Sequence, residues 1–199
     1  MIDQNRHEHL KIKICVSGSA DMSNLPPHVH DSAKIIGQTI AQNGAVTMTG
    51  ATTGYPFWAA MGAKNAGGIS VGLSPAANER EHVEGYKLPI DFMDVIIYTG
   101  FGYPGRDLFL VRSSDAVITG PGRIGTFHEF MVAYEDGKPM GILESDDWQT
   151  DDILKEILAK SNRPTDHIIF DRDPERLVTR IIEMVKKYKI NDTYKKKVY

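Results

Sequence analysis

Three short segments of the 199-residue sequence place glycine with small polar residues directly after an apolar run. They are Gly18 and Ser19 after residues 11–17, then the loop 50–54 with Gly50, Thr52, Thr53 and Gly54, and then 120–126, GPGRIGT. The third contributes Pro121, Gly122, Arg123, Ile124, Gly125 and Thr126 and runs into a helix-like apolar stretch. A strand, a glycine turn and a helix start aim free backbone N–H groups and the positive end of a helix dipole at one point. Such a point takes an anion, and phosphate is the expected guest. Glycines that merely tighten turns would explain one of these loops well and three of them less well. None reads G-x-G-x-x-G, and no G-x-x-x-x-G-K-[ST] occurs, so ordinary dinucleotide dehydrogenases and P-loop nucleotide hydrolases lose support.

Other chemistry-bearing residues have plainer explanations. Glu129 stands three residues after Thr126, so the pair fits a capping box as well as an anionic group at the site. Asp115 opens an apolar run and reads as a structural hydrogen-bond acceptor. His28 and His30 fall on a loop or first helical turn with no third metal ligand in reach, and His7 and His9 read as solvated; no metal site is expected. Glu79, Glu81, His82 and Glu84 read as an exposed polar loop, with a lid over the site as the other reading. Trp58 reads as a core or subunit contact.

The elements that must hold these residues follow from hydrophobic spacing. Residues 11–17 alternate Ile12, Ile14 and Val16 with Lys11, Lys13 and Cys15 and stop at Gly18, which reads as a first strand. Val29, Ala33, Ile36 and Ile40 mark a helix over 27–43, closed by Gly44. Residues 45–49 return as a strand, and Pro56 opens a helix rich in small residues, which suggests close packing on a sheet. The runs 69–73, 95–99, 116–119, 140–143 and 168–170 are apolar without alternation, as buried parallel strands are. Helical patterns at 106–113, 126–136 and 151–160, and after Asp173 and Pro174, separate most of them. The β/α alternation predicts a Rossmann-like three-layer α/β/α sandwich with a mostly parallel sheet. Its ligands would bind beyond the carboxyl ends of the strands.

Composition fits one domain. Hydrophobic residues are 41% and charged residues 25%, ordinary globular usage. With 23 basic and 26 acidic side chains, net charge −3, no positive field draws a phosphate backbone, so nucleic acid is not an expected partner. The single cysteine, Cys15, excludes an internal disulfide and suits the reducing cytoplasm. No membrane span or signal peptide is expected. Residues 1–9 and 191–199, including most of a lysine-rich tail, read as flexible ends.

The block 105–118, GRDLFLVRSSDAVI, followed by 121–129, PGRIGTFHE, resembles the paired R-K and P-G-G-x-G-T-x-x-E motifs of the LOG family. These are the "possible lysine decarboxylase" Rossmann proteins, several of which are nucleoside 5′-monophosphate phosphoribohydrolases that release cytokinin bases. Molybdenum-cofactor carrier proteins are their close relatives. The resemblance runs from the first strand to about Glu144, with residues 50–54 standing at the family's middle glycine loop, one residue shorter. It implies a single nucleotide-binding domain over 1–199, with Arg106 and Glu129 as catalytic residues. Gly18, Ser19 and the two later glycine loops would bind phosphate or nucleotide. Cleavage of an N-glycosidic bond passes through an oxocarbenium-like ribose, so Glu129 would stabilise the cation or activate water while Arg106 orients ribose or phosphate. No cofactor is implied, and the pyridoxal chemistry of the old decarboxylase label has no supporting lysine motif. The expected partner is a small phosphorylated ligand, and the family's habit implies a homodimer or higher homo-oligomer. The departures are Asp107 for lysine, Arg123 for the second glycine of P-G-G, and His128 for the first of two acids. The retained Arg106 and Glu129 make hydrolysis of a nucleoside 5′-monophosphate to free base and ribose 5-phosphate, without metal, the leading reading. The departures feed the alternative, a non-catalytic carrier or sensor of a nucleotide or pterin phosphate.

Overall fold

The structure, a computed structural model, describes residues 10–190. His7, His9 and the expected flexible ends 1–9 and 191–199 lie outside the described residues. Seven strands form one all-parallel sheet: β1 Lys13–Ser17, β2 Val46–Thr49, β3 Ile69–Ser74, β4 Val95–Tyr98, β5 Ala116–Thr119, β6 Met140–Leu143 and β7 Ile168–Asp171. Their order is β4-β3-β2-β1-β5-β6-β7. The chain therefore builds outward from β1 to one edge, then returns to β5 beside β1, pairing Ile14 with Ala116 and Ser17 with Thr119. That reversal is where an open parallel sheet forms a crevice at its carboxyl end. Because β2, β1 and β5 are consecutive, the loops after them meet there. All three glycine loops of the sequence are those loops.

Successive strand residues face opposite layers, and both layers are filled. Ile14, Val16, Ala116 and Ile118 pack with α1 (Val29–Gln42), α2 (Tyr55–Asn65) and α6 (Pro174–Ile190). Cys15, Val117, Met140 and Ile142 pack with α3 (Gly102–Ser113), α4 (Ile124–Glu135) and α5 (Thr150–Ser161). The Rossmann-like three-layer fold is therefore the observed one. The small residues of α2 serve a second contact besides the expected packing on the sheet, where Ala59 joins Ile14 and Val16. A methyl group on Gly37 would lie 1.8 Å from the Ala59 carbonyl oxygen, and one on Gly62 would lie 2.1 Å from that of Lys34. The glycines let α1 and α2 touch backbone to backbone.

Some boundaries moved. The helix expected at 106 begins four residues earlier, at Gly102, whose φ of +63° turns the chain out of β4. The polar segment after β3 is not a wholly exposed loop. It makes one π-helical turn, Glu81–Gly85, around a fully buried His82. The His82 ring bonds Ser74 Oγ at 2.8 Å and the Pro89 carbonyl at 3.0 Å. A carbonyl only accepts, so Nε2 carries the proton and Nδ1 accepts from Ser74. Asp173 accepts the Arg176 N–H at 2.9 Å, the cap expected before Pro174.

Candidate functional site

A cleft of about 550 Å³ opens over the carboxyl ends of β1, β2 and β5, walled by the starts of α3 and α4. The loop after β1 supplies Gly18, Ser19 and Ala20, the loop after β2 Gly50 and Thr52, and α2 supplies Pro56. Tyr103, Pro104, Arg106 and Asp107 come from α3. The start of α4 gives Arg123, Ile124, Gly125, Thr126, His128 and Glu129.

The first intrahelical bond of α4 runs from the Phe127 N–H to the Arg123 carbonyl, 3.0 Å. The N–H groups of Ile124, Gly125 and Thr126 thus belong to the first turn, which an α-helix leaves without internal acceptors. They face a cleft floored by Arg106. This guanidinium is only 6% exposed. Its Nε lies 3.0 Å from Asp107 Oδ1, in a direction that makes no hydrogen bond, and Nη1 has no hydrogen-bond partner among the described residues. A buried donor without an acceptor is costly, so an anion entering here would relieve Arg106 while meeting the helix dipole. Gly50 makes room for that side chain, since a Cβ there would sit 1.4 Å from Nη1.

The carboxylates surround the same cation. Asp107, 4% exposed, also holds His128 Nδ1 at 2.9 Å. Glu129 accepts a hydrogen bond from the Ser17 hydroxyl at the end of β1. Burial pushes the Glu129 carboxyl up to about 7; Arg106 and the Ser17 bond oppose this, and the neighbouring Asp107 charge adds to it. A carboxyl so placed can hold or release a proton near neutrality.

The capping-box reading of Thr126 and Glu129 is corrected. Arg123 takes the N-cap position with extended backbone and no side-chain cap bond. That puts Thr126 at the third helical residue and Glu129 a turn too late to reach back. Several glycine-loop residues are committed to the protein itself. Gly122 N–H donates to Thr150 Oγ1 at 2.8 Å. Ser19 uses its N–H on the Pro121 carbonyl at 2.6 Å and its hydroxyl on the Asp21 carbonyl at 2.6 Å. Thr53 donates to the Ala20 carbonyl at 2.9 Å, and Thr53, Gly54, Pro121 and Gly122 do not line the cleft. They shape the rim. Arg123 is largely exposed, with Nη2 3.6 Å from Asp21, joining the loops after β5 and β1.

Sequence reasoning places Ser17 in the first glycine loop without giving it a role at the site, does not find Tyr103, Pro104 or Pro56, and treats Asp107 and His128 only as departures from a pattern. Ser17 carried a usable signal, being the last residue of a parallel strand. Asp115 lies at the opposite end of β5 and accepts from Lys13 N–H at 2.8 Å, Lys13 Nζ at 3.0 Å and Lys189 Nζ at 3.1 Å, a structural role. His28 pairs with Asp147 at 2.7 Å, and His30 stacks on Trp58 at 4.7 Å. No cluster that could hold a metal occurs among the described residues.

The SLOG cluster4 family model matches residues 11–178. The chain belongs to the SLOG cluster4 family. Its LOG-like character agrees with the arginine and P-G-x-x-G-T-x-x-E motifs, which bring Arg106, Gly125, Thr126 and Glu129 to the cleft. An uncharacterized Archaeoglobus fulgidus protein is 34% identical over 109 residues, spanning 55% of this chain and 66% of its own length, just under two thirds. The molybdenum cofactor binding protein of Rippkaea orientalis superposes with TM-score 0.72 at 28% identity, covering 89% of this SLOG chain and 99% of that one. The molybdenum cofactor carrier protein of Chlamydomonas reinhardtii gives TM-score 0.69 at 23% identity over the same shares, a likeness of fold. No helix among the described residues of this SLOG protein is long and apolar enough to cross a membrane.

Proposed function

We propose that the cleft binds a small molecule joining a phosphate to a planar heterocycle, a nucleoside 5′-monophosphate or a phosphorylated pterin, and that the protein carries or senses it in the cytoplasm. The observation behind this reading is the buried Arg106 guanidinium, whose Nη1 has no hydrogen-bond partner among the described residues, lining the same cleft as the first turn of α4, where N–H groups have no intrahelical acceptor. Tyr103, Pro104, Pro56 and an 81% exposed Ile124 give the cleft apolar walls against which a flat ring would lie. The cofactor-binding neighbour from Rippkaea orientalis supports the pterin class.

Glu129 favours a second reading, hydrolysis of the N-glycosidic bond. Its carboxyl would stabilise a ribosyl cation or take the proton of an attacking water, with Arg106 fixing the phosphate end. Binding of AMP, GMP and a pterin monophosphate, followed together with release of free base, separates the two. Saturable binding without free base is the expected result. Steady base release, lost by on the order of 10²-fold in Glu129→Gln, would transfer the protein to the hydrolases. Absence of binding to any of the three would refute both readings.

Homodimerisation through α3, beside the cleft, is proposed on the apolar residues left open there. Phe101 and Phe109 pack ring to ring at 5.3 Å yet remain 65% and 45% exposed, and edge strand β4 leaves Val95 and Ile97 about half open. Apolar patches of this kind mark interfaces. Sedimentation equilibrium should find a dimer that Phe109→Glu converts to monomer; a monomeric parent would overturn the assignment.

A further inference from the structure

We propose that His128, held by Asp107, contacts the ligand's phosphate only when protonated, so that the cleft takes up a proton together with a dianion. The proposal rests on the cleft being a phosphate site and adds how that site balances charge. The charged and titratable groups around His128 are Tyr103, Arg106 and Asp107 on α3, Arg123 before α4 with its partner Asp21, and Glu129 beside it on α4, with Cys15 buried behind. Each guanidinium in this set already faces a carboxylate, Arg106 against Asp107 at 3.0 Å and Arg123 against Asp21 at 3.6 Å. Glu129 adds a further acid. The cleft therefore has no spare positive charge for a dianion, and a proton must enter with it.

The geometry selects His128 as the acceptor of that proton at the ligand. Its Nδ1 lies 2.9 Å from Asp107 Oδ2. A carboxylate only accepts, so Nδ1 carries a hydrogen in either charge state. Neutral His128 then presents a bare Nε2, an acceptor that repels phosphate oxygen. Protonated His128 presents a donor with a full charge. The side chain lines the cleft and is 41% exposed, whereas the Glu129 carboxyl is buried and already takes the Ser17 hydroxyl. A proton on Glu129 would cancel a charge; one on His128 makes a contact. Asp107 is the positioning residue that makes the choice, because it fixes which ring nitrogen faces out.

Sulfate is a suitable probe, being a dianion that does not itself titrate near neutrality. The His128 Cε1–H resonance, identified by its loss in His128→Gln, is titrated between about pH 5 and 8 with and without sulfate, while the amides of Ile124, Gly125 and Thr126 report occupancy of the cleft. Sulfate should move the His128 midpoint upward by about one pH unit or more, and Glu129→Gln should leave that movement in place. In Asp107→Asn, whose amide oxygen still accepts from Nδ1, His128 should still respond. Amide shifts without any movement of His128, or a movement that disappears in Glu129→Gln, would overturn the proposal and leave the phosphate site standing. Unmoved amides at saturating sulfate would instead overturn the phosphate site, and the proposal with it.

Discussion

Gly50→Ala is expected to weaken binding of a phosphorylated ligand on the order of 10²-fold without unfolding the protein, which is the loss typical of a buried charge-assisted contact. The added methyl would fall 1.4 Å from Arg106 Nη1 and 2.5 Å from Cζ. What it meets is the far end of a flexible side chain, so the guanidinium moves and the backbone stays. Arg106→Ala should lose at least as much affinity, but it also leaves Asp107 and Glu129 buried without their cation, and breaking such a group is destabilising in its own right. The glycine substitution separates the two effects. Titration with AMP, alongside far-ultraviolet circular dichroism, makes the measurement. Parent-like affinity in a folded Gly50→Ala protein would show that Arg106 does not hold the phosphate.

The second large effect is on stability. Glu129, whose ordinary value is 4.5, is pushed by burial up to about 7. The folded protein then binds this proton more tightly than the unfolded chain, so stability must fall as pH rises. The contribution is complete below about 4.5 and is lost as pH climbs through about 7, an interval worth about 3 kcal/mol. Glu129→Gln keeps an acceptor for the Ser17 hydroxyl and removes the titration. Urea unfolding from about pH 5 to 8 should show the parent declining and the variant nearly level, with the variant the more stable at the alkaline end. Equal slopes in the two proteins would mean that Glu129 is not a buried acid with a raised pKa.

The layer architecture was legible because it depends on local periodicity. Alternation in residues 11–17, the four-three-four spacing of Val29, Ala33, Ile36 and Ile40, and the apolar runs between helices carry the β/α order whatever lies next to them. The same holds for the glycine turn from β5 into α4, since a strand, glycines and a helix announce it in sequence. The Arg106 and Glu129 positions were legible by resemblance. Their partners were not, because each partner arrives from another part of the chain. Ser17 reaches Glu129 only when β1 and β5 lie side by side, and His128 meets Asp107 only because α3 and α4 pack against each other across the same sheet face. Read alone, Thr126 and Glu129 fit a capping box as well as an anionic group at the site; the extended Arg123 backbone starts the helix early, which removes the cap and leaves the carboxyl buried. The sequence by itself determined which loops gather at the carboxyl end of the sheet. Only tertiary packing decided that Arg106 would stand buried over Gly50 with a donor left open, because desolvation and pairing are properties of neighbours that sequence spacing does not encode.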